Sequence, residues 1–337
     1  MDSVTLYEIL YALVAMDGRE AALFGNYGPY AREAFRRSLA GESFPELWFE
    51  IPLAGDPWLD LHALVSYEDV AGTQASFSGQ EGVYANAIEW FAAQSPHAVR
   101  QLALSYDTSA QDVDHPAVQL LVNSDDIAAP IGFLQAVGQL DATEPYRTFV
   151  ESMPHPWYAC YVGVFPRREE ADGQDWVRVE CIVGDQLQHA YANSAEGLIE
   201  HLTRVGLQGI CQDAVEGIRA FARTPFPLEL QFNVGKDGKA LPVVSASVRF
   251  QPKDWMDGQR REHIDHLFRW IQKQGMADNR WELLADTLFA KSVTRGGKSA
   301  VLSCFPAFVK LRWRKGEPPC AKAYLMGMAP TTNKDDE

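Results

Sequence analysis

The sequence predicts an α+β fold: a closed ten-stranded antiparallel β-barrel of five β-β-α repeats, with the helices outside. Three observations predict it. Pairs of alternating apolar–polar runs recur along the 337 residues, and helical patterns follow most of them. Strands joined in such hairpins are antiparallel. Ten of them would expose two long edges unless the sheet closed on itself.

An N-terminal helical segment over 1–40 precedes a barrel domain over 41–329. The first pair is PELWFEIP (45–52) with WLDLHALVSY (58–67), and the helical stretch GVYANAIEWFAAQ (82–94) follows. The second is VRQLALSY (99–106) with AVQLLVN (117–123), followed by the apolar segment IGFLQAVGQL (131–140). The third is WYACYVGVF (157–165) with WVRVECIV (176–183), with helices near 195–205 and 212–222. The fourth lies in LELQFNVGKDGKALPVVSASVRF (228–250), and its helix is REHIDHLFRWIQKQ (261–274). Its GKDGK turn can place Gly238 at positive φ. The fifth is FVKLRWR (308–314) with AKAYLMG (321–327), and the tail over 330–337 is expected to be disordered.

Each strand carries one apolar face, such as Leu59, Leu61 and Val65, or Leu228, Leu230 and Phe232, or Val309, Leu311 and Trp313. Helices can pack there. The opposite parity gathers Glu46, Trp48, Glu50, Asp60, His62, Gln119, Tyr161, Arg178, Glu180, Glu229, Gln231, Ser247, Arg249, Lys310, Arg312, Lys322 and Tyr324. With helices outside, this set lines the lumen, and a ten-stranded barrel is wide enough to keep a channel. Alternation alone leaves an open sheet with a wet polar face as the alternative. Lys310, Arg312 and Arg314 would then be the charges of a protected edge strand.

Composition excludes some classes. A net charge of −15 argues against a nucleic-acid or anionic-membrane binder. No apolar run approaches a membrane span. LYEILYALVAM lacks a basic n-region and a cleavage site, so a cytoplasmic location with free thiols is expected. Cys160 and Cys181 fall on the apolar parity and read as buried, inert thiols. His263 and His266 have a metal-compatible spacing but no third ligand, so no protein metal site is expected. RGGKS (295–299) lacks the rest of a phosphate loop and reads as a mobile loop. No GxSxG occurs.

Five β-β-α units around a polar lumen resemble the ABBA prenyltransferase barrel. The resemblance is nearest to the cyanobactin-type peptide prenyltransferases and more distant to the fungal dimethylallyltryptophan synthases. It rests on strand order over 45–328 and on PELWFEIP, LALSYDTSAQDVDHPAVQLLVN, NVGKDGKALPVVSASVRF and AKAYLMG. It implies transfer of a prenyl group from a prenyl diphosphate to a peptide side chain or aromatic small molecule, in a monomer, with Mg2+ held through the diphosphate. Cations must hold the leaving diphosphate, aromatic faces must shield the allyl cation, and a carboxylate must take a proton. By resemblance Glu46 is the catalytic carboxylate. His62, Arg178, Arg249, Lys310, Arg312 and Lys322 are the diphosphate set, and Arg249, Lys310 and Lys322 are expected to converge at one end. Trp48, Trp157, Tyr161, Gln231, Ser247 and Tyr324 form the prenyl and acceptor pocket. The chain departs from the family pattern at His62, where an arginine is expected, and at Gln119, where a lysine is expected. The alternative function is a catalytically silent barrel that binds a peptide or small ligand.

Overall fold

Leu61, Leu120, Val179, Leu230, Val248 and Leu311 are all fully buried, and all belong to one outward face of one sheet. The computed structural model describes residues 6–31, 46–67, 70–71, 82–107, 112–122, 127–165, 177–209, 211–295, 298–328 and 331–332. Of the tail expected over 330–337 only Thr331 and Thr332 are described, as a short strand; the rest of it, residues 32–45 before the first strand, and the tip of RGGKS lie outside the described residues.

The ten barrel strands are β1 (Glu46–Pro52), β2 (Asp60–Ser66), β3 (Val99–Asp107), β4 (Asp112–Val122), β5 (Tyr158–Val164), β6 (Val177–Ile182), β7 (Leu228–Val234), β8 (Ala240–Arg249), β10 (Lys298–Arg314) and β11 (Cys320–Met328). Each pairs antiparallel with the next, and β11 pairs with β1 to close the ring. All five anticipated hairpins are therefore present. Gly238 sits at φ 73° in the β7–β8 turn, as the GKDGK reading requires.

One feature was not legible. β9 (Phe289–Arg295) pairs with the first half of β10, so Arg295 and Lys298 of RGGKS are facing strand residues. The short β12 (Thr331–Thr332) pairs with the same extension. The extension lies beyond the closed ring.

Helices cover the outward apolar face. Among the described residues these are α1 (Leu6–Val14), α2 (Val83–Ala92), α3 (Ala128–Ala136), α4 (Thr143–Ser152), α5 (Asp185–Asn193), α6 (Ala195–Arg204), α7 (Gln212–Ala222), α8 (Pro252–Met256) and α9 (Gly258–Lys273). α6, α7 and α9 bury residues at helical spacing, such as Leu198 with Leu202 and Ile264 with Leu267, Phe268 and Ile271. No helix follows the fifth hairpin among the described residues. The N-terminal α1 serves there, with Leu10 packed where a Cβ on Gly327 would sit. The N-terminal helix thus supplies the missing member of the fifth repeat. No helix among the described residues is long and apolar enough to cross a membrane.

Candidate active site

The inward face forms a cavity of about 240 Å³, lined by residues from all ten barrel strands. Its two ends differ in chemistry. On one side the lining is Leu64, Ala103, Leu121, Tyr158 and Ile182, with Arg100 at the rim. On the other, the lumen continues into a smaller adjoining cavity of about 40 Å³, where Arg178, Lys310, Arg312 and Lys322 gather around Gln231, Asn233 and Ser245. Register explains the second cluster. Lys310 stands directly opposite Lys322 across β10–β11, and opposite Ser247 across β10–β8. Arg178 is opposite Asn233, whose Oδ1 accepts from its Nε at 3.3 Å.

Arg249 does not join this cluster. It pairs opposite Phe308, two residues short of Lys310, and its guanidinium lies over the Phe308 ring at 4.6 Å. Its Nη2 is 3.0 Å from Glu229 Oε1. The expected convergence of Arg249 with Lys310 and Lys322 is therefore corrected: Lys310 and Lys322 converge, together with Arg178 and Arg312, while Arg249 faces the middle of the cavity.

An aromatic wall stands beside the cations. Trp48 and Phe308 have ring centroids 4.8 Å apart, and Tyr324 lies 6.3 Å from Trp48 and 6.2 Å from Phe308. Lys310 Nζ is 5.3 Å from the Tyr324 ring centroid. Phe305, Phe308 and Tyr324, with Trp48, Met326 and Met328 against them, form an apolar cluster separate from the main core. Phe308 and Met326 were missed as site residues. Their inward parity was readable, but an apolar side chain on a strand reads as packing rather than as part of a site.

Two expectations at the start of β5 fail for one reason. The β5–β6 register shifts between Ala159 and Tyr161, leaving Cys160 as the extra residue of a bulge. Cys160 and Tyr161 both line the cavity, so Cys160 is not on the outer face with Cys181. Before the bulge the parity is reversed. Trp157 therefore lies outside the barrel, stacked on Phe232 at 6.0 Å, with its Nε1 donating to the Tyr191 hydroxyl at 3.1 Å. Trp157 is a packing residue, not a pocket residue. Trp157→Ala should cost about 3–5 kcal/mol of stability, the range for large-to-small changes in a core. Urea unfolding should show that loss, and ligand binding by the folded fraction should be unchanged.

The lumen acids are held by its bases. Lys322 Nζ and His62 Nε2 both bond Glu50, the latter at 2.9 Å. Burial pushes the Glu50 carboxyl up, but Lys322 and His62 outweigh it and hold it well below the usual carboxylate range. His62 Nδ1 is 2.7 Å from Ser105 Oγ, which also accepts from Gln119 Nε2 at 2.6 Å. His62 and Gln119, where the resemblance expects cations, are thus two links of one chain ending at Lys322. Glu180 Oε2 accepts from Gln231 Nε2 at 2.7 Å and lies 3.6 Å from Lys310 Nζ. Ser247 Oγ sits 3.3 Å from Glu180 and 3.5 Å from Glu229.

Glu46 lies at the β1 end on the Leu64 side, opposite Leu64 in register. Its carboxylate accepts from the Trp48 indole, and from Gln101 Nε2 at 3.1 Å. It is not among the residues lining the cavity; it stands one step behind Trp48. Among the described residues, no group of three His, Cys, Asp or Glu side chains is placed to hold a metal ion.

Fold and lumen together define the prenyltransferase-barrel architecture, in which the resemblance drawn from the sequence is borne out. Solved prenyltransferases share it along nearly their whole length. The prenyltransferase PriB in its apo form aligns with a TM-score of 0.56 at 13% identity, over 95% of this chain and 94% of that one. PriB in a binary complex with product diphosphate gives 0.55 at 14% identity, over 96% of each chain. The 6-dimethylallyltryptophan synthase from Micromonospora olivasterospora, in complex with DMASPP and Trp, gives 0.52 at 14% identity, over 94% of this chain and 93% of that one. No protein-family model matches the sequence, and a comparison with curated proteins finds no match.

Proposed function

We propose that the protein is a prenyltransferase that moves a short isoprenoid group from a prenyl diphosphate to an aromatic small molecule or a peptide side chain. One observation carries this reading: inside one closed barrel, a cluster of four cations adjoins an aromatic and methionine wall. The first binds a leaving diphosphate, where negative charge develops. The second shields an allylic cation from water and stabilises it through ring faces. PriB with product diphosphate and the 6-dimethylallyltryptophan synthase with DMASPP and Trp share this fold, which supports a prenyl diphosphate donor.

In this reading Arg178, Lys310, Arg312 and Lys322 hold the diphosphate, and Trp48, Phe308 and Tyr324 enclose the prenyl group. Tyr161, Gln231 and Ser247 border the reacting atoms, and Arg249 with His62 shapes the field from the middle of the lumen. The acceptor enters from the Leu64, Leu121 and Tyr158 side, where Glu46 takes its proton. A cavity of about 240 Å³ is at the small end for ligand sites, which favours a five-carbon donor over a longer one. Magnesium, where used, would ride on the diphosphate oxygens. The carboxylate lining the cationic end, Glu50, is already engaged by Lys322 and His62.

A second reading has its own observation. Lys310, Lys322 and Arg249 are each ion-paired to a lumen carboxylate, as in a barrel that no longer binds diphosphate. Incubation with dimethylallyl, geranyl and farnesyl diphosphates, each with tryptophan, simpler indoles and an aromatic peptide, decides between the readings. Acceptor-dependent diphosphate release, greatest with the dimethylallyl donor, is the expected result. A barrel that neither binds these donors nor releases diphosphate with any acceptor fits the second reading.

A further inference from the structure

Two of the cations that would hold the donor, Lys310 and Lys322, are occupied by the protein's own carboxylates. Lys310 Nζ is 3.6 Å from Glu180 Oε2, and Glu180 is joined through Ser247 to Glu229, which pairs with Arg249 at 3.0 Å. Glu180 and Glu229 are neighbours across β6–β7 and face the same cavity. A diphosphate cannot take Lys310 without leaving Glu180 short of its counter-charge. Two buried carboxylates with one guanidinium between them cannot both stay ionised, because desolvation and mutual repulsion both favour the protonated form.

Resting on the donor-site reading above, we propose that Glu180 and Glu229 are positioning residues of that site: they hold Lys310 in the empty barrel and take up one proton when the donor's diphosphate draws Lys310 away. The proton comes from solvent and stays shared between the two carboxylates; no covalent bond forms or breaks. The groups facing the pair are Lys310 from β10, Arg249 and Ser247 from β8, Cys160 from β5, Gln231 from β7 and Tyr324 from β11. In the empty barrel burial pushes Glu229 up, Arg249 pulls it down and Glu180 pushes it up again, to about 7. Burial also raises Glu180, but Lys310 and the bond with Glu229 outweigh it and hold Glu180 below the ordinary value. The pair titrates as a unit. Removing Lys310 raises its upper step, so a barrel that is doubly ionised above neutrality becomes singly ionised once loaded.

The coupling has a chemical use. Two bare carboxylates beside an allylic cation would compete with the acceptor to capture it. A pair sharing a proton carries one charge and is a weaker nucleophile. Uptake timed by the donor removes the second charge when the cation is about to form.

The test is calorimetric titration with the unreactive dimethylallyl thiolodiphosphate at pH 8, in buffers of different ionisation enthalpy. Wild type should take up about one proton more per ligand bound than Glu180→Gln, in which Glu229 keeps Arg249 and stays ionised throughout. Wild-type affinity should also fall by up to tenfold per pH unit above neutrality, since binding consumes a proton, and Glu180→Gln should flatten that slope. Lys310→Met offers a second variant: its pair is already protonated before ligand arrives, so at saturation it should show no excess uptake. Tight binding with equal proton uptake in wild type and both variants would overturn the proposal and leave the donor site standing. Absence of binding in wild type would overturn the donor-site reading itself.

Discussion

Lys322→Ala is expected to weaken prenyl diphosphate binding by about 100- to 1,000-fold, the product of two effects acting at once. Losing one charge-assisted hydrogen bond to phosphate costs about 1.5–3 kcal/mol, and about 1.4 kcal/mol is a factor of ten. The second effect comes from Glu50. Lys322 and His62 hold that buried carboxylate ionised. Without Lys322 an undercompensated negative charge remains at the end where the diphosphate must sit. The two contributions separate in a double variant. Lys322→Ala with Glu50→Gln should bind the donor more tightly than Lys322→Ala alone, because the repelling charge is gone. Arg312→Ala is the comparison, since Arg312 lines the same end with no ion pair among the described residues, and it should cost only the direct bond, about 10- to 100-fold. Dissociation constants for dimethylallyl thiolodiphosphate measure all of these. Unchanged binding in Lys322→Ala would move the diphosphate away from this end of the barrel.

How much of this was legible in the sequence divides along a physical line. Alternation is a backbone property of period two, so Leu228, Leu230 and Phe232 declare the outer face while Glu229, Gln231 and Asn233 declare the inner one. Closure followed from the cost of unpaired edges, which needs only the number of strands. Local breaks in the period were not legible. One extra residue at Cys160 reverses the parity before it, which put Trp157 in the wrong place and hid Cys160 from the lumen. Which charges pair was also hidden, because it depends on register between strands far apart in sequence: Lys322 and Glu50 are 272 residues apart. Parity could place Arg249 in the lumen with Lys310, but only the β8–β10 register shows that it stands opposite Phe308. The β9–β10 extension escaped because a short basic glycine-rich tip reads as a loop whether or not strands flank it.

Glu46→Gln is expected to lower turnover by about 100- to 10,000-fold, the range for one acid–base group, with donor binding unchanged. The carboxylate stands at the Leu64 side of the lumen, away from the four cations, so its loss does not touch the diphosphate. What it already binds indicates what it can do. The Trp48 indole donates to one of its oxygens and Gln101 to the other. An aromatic acceptor with a ring N–H would present the same donor, and the oxygen now bonded to Trp48 would serve it once that side chain turned. The proton released as the prenyl–acceptor bond forms then has an anionic acceptor at the mouth. The competing role is structural: Glu46 would only anchor Trp48, which closes the wall with Phe308 and Tyr324. Gln at position 46 keeps an oxygen to accept from the indole, so a purely anchoring role predicts turnover within a few-fold of wild type, with the same dependence on pH. Loss of a base predicts a deep fall in turnover. Trp48→Phe completes the comparison. It removes the indole N–H but keeps an aromatic face, so its turnover should exceed that of Glu46→Gln if Glu46 is the base. Near-normal turnover in Glu46→Gln would remove Glu46 from the chemistry and leave it as the support of Trp48.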